Sequence, residues 1–119
     1  MAKTAVHKRQ VLDLITATGN TIKLHSADPG TTGASAIATT PASGNTTWAA
    51  AVDGSGGDAG KASATGSKVT LQVPASTTVT HYGIYNGATF LRGEALDASI
   101  TVNATGPVSV DVTPRSTYE

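Results

Sequence analysis

Lys68-Val69-Thr70-Leu71-Gln72-Val73 alternates without a break, and its reading decides the fold. Successive side chains of a strand point to opposite faces, so Val69, Leu71 and Val73 share one side and Lys68, Thr70 and Gln72 the other. That is the pattern of a strand with one face in a core. Downstream, Thr77 to Tyr85 is rich in β-branched and aromatic residues, which suit a pleated sheet. Asn86-Gly87 then reads as the two central residues of a type I′ hairpin, where both positions need φ > 0. Phe90-Leu91 opens the return strand. Ser99 to Val102 and Val108 to Val112 read as further strands, separated by a Thr105-Gly106-Pro107 turn.

Upstream, Thr21-Ile22-Lys23-Leu24-His25 alternates in the same way, with Ile22 and Leu24 facing inward. Asp28-Pro29-Gly30 is a turn, because proline presets φ and glycine supplies the left-handed region. Ala36 to Thr40 and Thr46 to Val52 read as weaker strands, the second carrying the sole tryptophan, Trp48. Asp53 to Gly60 reads as a flexible connection, too poor in side chains to pack. Only Thr4 to Ala17 has helical spacing. Val11, Leu14 and Ile15 fall on one face there, and Gly19-Asn20 is the expected stop. The expected fold is all-β: a small antiparallel β-sandwich or jelly-roll-like barrel with a short N-terminal helix or arm. Residues 1–20 form the arm and residues 21–119 a single sandwich domain.

The chain has 119 residues, enough for one domain. Its hydrophobic fraction of 39% rests heavily on alanine, which buries little apolar area. A thin core is expected, with subunit contacts supplying part of the stability and hence a homo-oligomer. Eight basic and eight acidic residues cancel, which argues against a nucleic-acid partner. The bases gather early: Lys3, Lys8, Arg9 and Lys23 precede Ser26, against Asp13 alone. The arm is therefore mildly basic, and Lys3, Lys8 and Arg9 are candidate contacts to an acidic neighbour. No stretch approaches the roughly 20 apolar residues that cross a bilayer, so no membrane partner is expected. The first ten residues lack the apolar run of a secretory signal.

Recognisable chemistry is sparse. There is no cysteine, hence no disulfide or thiolate site. Gly60-Lys61 fails as a phosphate loop, since Ser55 and Ala62 stand where glycine and a hydroxyl residue are needed. His7, His25 and His81 have no local metal-ligand spacing, although His25 and His81 could meet across a sheet. Asp53 and Asp58 flank a glycine-rich run without the alternating donors of a calcium loop. No strand–Gly-x-Ser-x-Gly–helix context supports a catalytic triad. Asn45-Thr46-Thr47 and Asn103-Ala104-Thr105 match a glycosylation sequon but lack a secretory context. Trp48 reads as a core or interface anchor before a sugar-stacking platform. No enzyme, cofactor or metal is expected.

Two stretches are distinctive. One is Leu24-His25-Ser26-Ala27-Asp28-Pro29-Gly30-Thr31-Thr32-Gly33-Ala34. The other is Val73-Pro74-Ala75-Ser76-Thr77-Thr78-Val79-Thr80-His81-Tyr82-Gly83-Ile84-Tyr85, followed after a turn by Phe90-Leu91. Together they resemble a family of small structural proteins from tailed phages of actinobacteria, over about Leu24 to Leu96. Ser26 stands where that pattern usually has threonine, and Ser76 where it usually has glycine. The resemblance implies a virion protein of the head-decoration, minor-tail or tail-fibre-like kind, with the major capsid protein or tail proteins as partners. It implies no catalytic residues.

Three functions compete at this level. An accessory capsid protein would decorate or cement the outer shell, its arm reaching a neighbouring subunit. A minor tail or fibre component, trimeric in that setting, would use Trp48 and the Gly54 to Gly60 loop for host attachment. A carbohydrate-binding module would act away from any virion. The first is preferred.

Overall fold

The computed structural model describes residues 2–103 and 105–119; Met1 of the arm and Ala104 of the second sequon lie outside them. In chain order the elements are α1 (Ala5–Thr16), β1 (Thr21–His25), β2 (Gly44–Asn45), β3 (Val52–Asp53), β4 (Ala62–Thr65), β5 (Val69–Val73), β6 (Thr77–Asn86), β7 (Thr89–Val102), β8 (Val108–Val112) and β9 (Arg115–Tyr118). Every strand pairing is antiparallel. The protein is all-β, a small sandwich with one short N-terminal helix.

One layer is the four-stranded sheet β2-β1-β6-β7. The other joins a three-stranded sheet, β3-β4-β9, to a two-stranded one, β5-β8, so that β4-β9 and β5-β8 form one long ladder. β4 pairs with β9 from Ala62↔Tyr118 to Thr65↔Arg115, and β5 pairs with β8 from Val69↔Val112 to Val73↔Val108. Between them stand three residues on one side, Gly66 to Lys68, against two on the other, Thr113 and Pro114. The extra residue bends the ladder and resets its alternation. Buried positions are even-numbered in β4 (Ala62, Ala64) and odd-numbered in β5 (Val69, Leu71, Val73).

The main core lies between the layers. Ile22, Leu24, Val79, Tyr82, Ile84 and Val102 from the four-stranded sheet meet Val69, Leu71, Val73, Val110 and Val112 from the ladder. Each buried aliphatic side chain there contributes about 1.5–3 kcal/mol. A second cluster joins Leu12 of α1 to Ala51, Ala62 and Ala64. The small alanine side chains let the helix lie close on β4 and β9. Trp48 packs against both clusters and so joins helix to sandwich.

Several sequence readings need correction. The helix runs as expected, and the Thr4 side chain accepts the His7 N–H as its N-cap. Its buried face, however, is Leu12 and Thr16, while Leu14 is 71% exposed. Gly19 is not a left-handed stop. It sits where a Cβ would meet the Tyr85 carbonyl oxygen at 2.5 Å. Thr46 to Val52 is not one strand; the chain touches the ladder by an isolated bridge, Trp48↔Gly66, before β3 begins. Ala36 to Thr40 likewise makes only bridges, His25↔Ala36 and Thr40↔Gln72.

The β6–β7 turn has Gly87 and Ala88 at its centre, with Asn86 paired to Thr89. Only Gly87 has a positive φ (60°), the type II′ pattern rather than I′. Phe90 to Val102 belongs to one 14-residue strand that absorbs the expected Ser99–Val102 strand. The Asp53–Gly60 connection closes the β3–β4 hairpin through a 3-10 turn, Gly56–Asp58.

Candidate functional site

The two distinctive stretches fold onto each other. His25 and Tyr85 lie on the outer face of the four-stranded sheet, opposite the core-facing Leu24 and Ile84. His25 is fully buried, because residues 26–36 fold back across that face. Its Nδ1 lies 2.8 Å from the Ala34 carbonyl oxygen and its Nε2 lies 3.0 Å from the Tyr85 hydroxyl. A carbonyl only accepts, so Nδ1 carries the proton. The neutral ring's Nε2 then accepts from the Tyr85 O–H. Both ring nitrogens are thus satisfied, one by each of the two stretches.

The rest of the loop is built around this lock. The Gly30 N–H donates to Asp28 Oδ1 (2.9 Å), closing the expected Asx-type turn. Pro29 is fully buried and lies directly over Gly93 of β7, where a Cβ would overlap its ring. Gly83 likewise lies close to His25, with 2.7 Å between its would-be Cβ and Nε2. Phe90 meets Tyr85 edge-on, ring centroids 5.3 Å apart, and the Lys23 ammonium lies 4.7 Å above the Tyr85 ring.

Burial holds the His25 pKa below 6.5; the Ala34 hydrogen bond opposes this, and the His81 and Lys23 charges add to it. His81 is the direct cross-strand partner of His25. Its Nδ1 lies 2.8 Å from the Thr80 hydroxyl. With both nitrogens of His25 engaged, the histidine pair is not arranged for a metal. Among the described residues no group of three or more His, Asp or Glu is placed to hold one.

The arm's candidate contacts are engaged within the chain. Lys3 Nζ donates to the Glu119 carbonyl (2.7 Å) and lies 4.7 Å from the Tyr118 ring. Lys8 Nζ donates to the Gly60 carbonyl (2.6 Å), and Arg9 forms an ion pair with Asp53. Asp58 faces Arg115 at 3.5 Å. The two aspartates of the glycine-rich run thus serve as anchors for α1 and β9.

Trp48 is half-buried, and its indole N–H donates to the Gly19 carbonyl (3.0 Å). It lines an open groove of about 630 Å³ with Asp13, Thr18, Asn20, Thr47 and Asn86. A second cleft, about 450 Å³, lies between the Glu94–Ala98 stretch of β7 and the β8–β9 corner. No sequence motif groups its residues. The Tyr82 hydroxyl donates to the Arg115 carbonyl (3.0 Å) and accepts the Arg115 N–H (2.8 Å). Burial raises the Glu94 carboxyl above its ordinary range, with Arg92 and Arg115 pulling it partly back.

The fold and this lock define a small all-β sandwich protein with a loop pinned across one sheet. No known family model, curated protein or solved structure matches the chain.

Proposed function

We propose that this chain is a non-enzymatic structural protein of a phage particle, an accessory capsid protein that binds the outer face of the shell. One observation carries the reading. The two stretches that resemble actinobacterial phage proteins are the two that interlock through His25, Ala34 and Tyr85. The resemblance therefore falls on the unit that organises the fold. The candidate reactive groups have structural partners: His25 has both nitrogens bonded, and Asp53 and Asp58 hold basic residues. Binding to an assembled lattice would stabilise it by mass action. Counting copies in purified particles tests the proposal. Stoichiometry comparable to the major capsid protein supports it; a handful per particle contradicts it.

A second reading, a minor tail or fibre protein, is favoured by the Trp48 groove. Its amide and hydroxyl side chains beside an indole suit a sugar ligand. Purified protein that blocks adsorption to host cells supports this reading, and unaltered adsorption removes it.

A further inference from the structure

We propose that a second copy of this chain docks on the free edge of β7, two-fold about Gly93, so that Arg92 of each copy faces Glu94 of the other. The inference does not rest on the capsid reading; it follows from the strand. β7 ends the four-stranded sheet, so its outer backbone groups have no strand beside them. Such an edge is a template for another strand.

Its regular part is short and central. Ile84↔Arg92, Gly83↔Gly93, Tyr82↔Glu94 and His81↔Ala95 run in register between two irregularities, one next to Ile84 and one next to His81. Arg92 and Glu94 share a face because they are two apart, with Gly93 between them. Both are half-buried. Among the described residues neither has an ion-pair partner within 4.0 Å, and the Arg92 guanidinium donates to the Ser116 hydroxyl (2.9 Å). Two opposite charges are thus partly removed from water without direct neutralisation, which is costly. Burial, the leading cause, raises the Glu94 pKa and lowers that of Arg92, and the attraction between the two charges within the chain offsets only part of each shift.

A second β7 laid antiparallel relieves it. A partner strand must keep its faces matched, so it slips only by steps of two residues. Centred on Gly93, each Arg92 lies opposite a Glu94. A slip either way sets Arg92 against Arg92 or Glu94 against Glu94, and like charges directly opposite are destabilising. The motif is self-complementary in one register, as an isologous contact requires.

Sedimentation over a dilution series, with circular dichroism to establish that each variant folds, tests the pairing. Wild type is expected to reach a dimer, Glu94→Arg to lose it, and the swap Arg92→Glu with Glu94→Arg to regain it. Should the swap not fold, hydrogen exchange on wild type decides: amides of residues 91–95 slow as concentration rises. A monomer or trimer at all concentrations overturns the proposal. So does a Glu94→Arg dimer as tight as wild type, a folded swap that stays monomeric, or exchange indifferent to concentration. A monomer would leave the capsid reading standing, and a particle lacking the chain would leave the pair standing.

Discussion

His25 Nε2 accepts a hydrogen bond from the Tyr85 hydroxyl at 3.0 Å, joining residues 60 apart in sequence inside a buried site. This bond, with the one from Nδ1 to Ala34, fixes the returning loop over the outer face of the sheet. Replacing Tyr85 by Phe removes the donor and leaves a buried acceptor without a partner. The expected cost is about 1–3 kcal/mol, read from urea denaturation midpoints. An unchanged midpoint would show that the lock contributes nothing.

The same residue gives the fold a pH dependence of known sign. Burial, the leading cause, lowers the His25 pKa below 6.5. Unfolded chains therefore bind the proton first, and stability falls as pH drops below the unfolded value towards the folded one. Above that window both states are neutral and His25 contributes no slope. The slope reaches at most about 1.4 kcal/mol per pH unit for one proton. Denaturation across this window, compared between wild type and His25→Gln, is expected to show a shallower dependence in the variant.

α1 is anchored by Leu12, fully buried, while Leu14 faces solvent. Leu12→Ala is expected to cost about 2–5 kcal/mol. Leu14→Ala should stay within about 0.5 kcal/mol. Thermal melts of the two variants separate these cases.

Ser76 occupies the left-handed region, φ 58°, in the turn between β5 and β6. A left-handed conformation costs an L-residue roughly 1–2 kcal/mol, which glycine avoids, less its greater unfolded-state entropy. Ser76→Gly is expected to stabilise by about 0.5–1 kcal/mol, visible as a raised melting temperature.

Where a face was strictly alternating, the sequence revealed it: Val69, Leu71, Val73, Ile22 and Leu24 are buried as read. The helix limits were legible from Thr4 onward, but not the buried face. Val6, Val11, Leu12, Leu14 and Ile15 spread around the helix, and only the alanine surface of β4 selects Leu12. Arg115-Ser116-Thr117-Tyr118 has no apolar alternation, so β9 emerges only from its pairing with β4. The bulge at Gly66–Lys68 reverses the parity of buried positions, which hides the continuity of the long ladder. Trp48 was legible as an anchor, although its hydrogen bond to Gly19 was not. The His25–Tyr85 bond has no local signature at all, being set by the register of β1 on β6.

A density map of the intact phage particle tests the account most directly. Under the proposed capsid role this sandwich, with its loop locked over the four-stranded sheet, is expected at repeating positions on the outer surface of the shell. Density for it confined to the tail, or absent from the particle, would contradict the proposed capsid role.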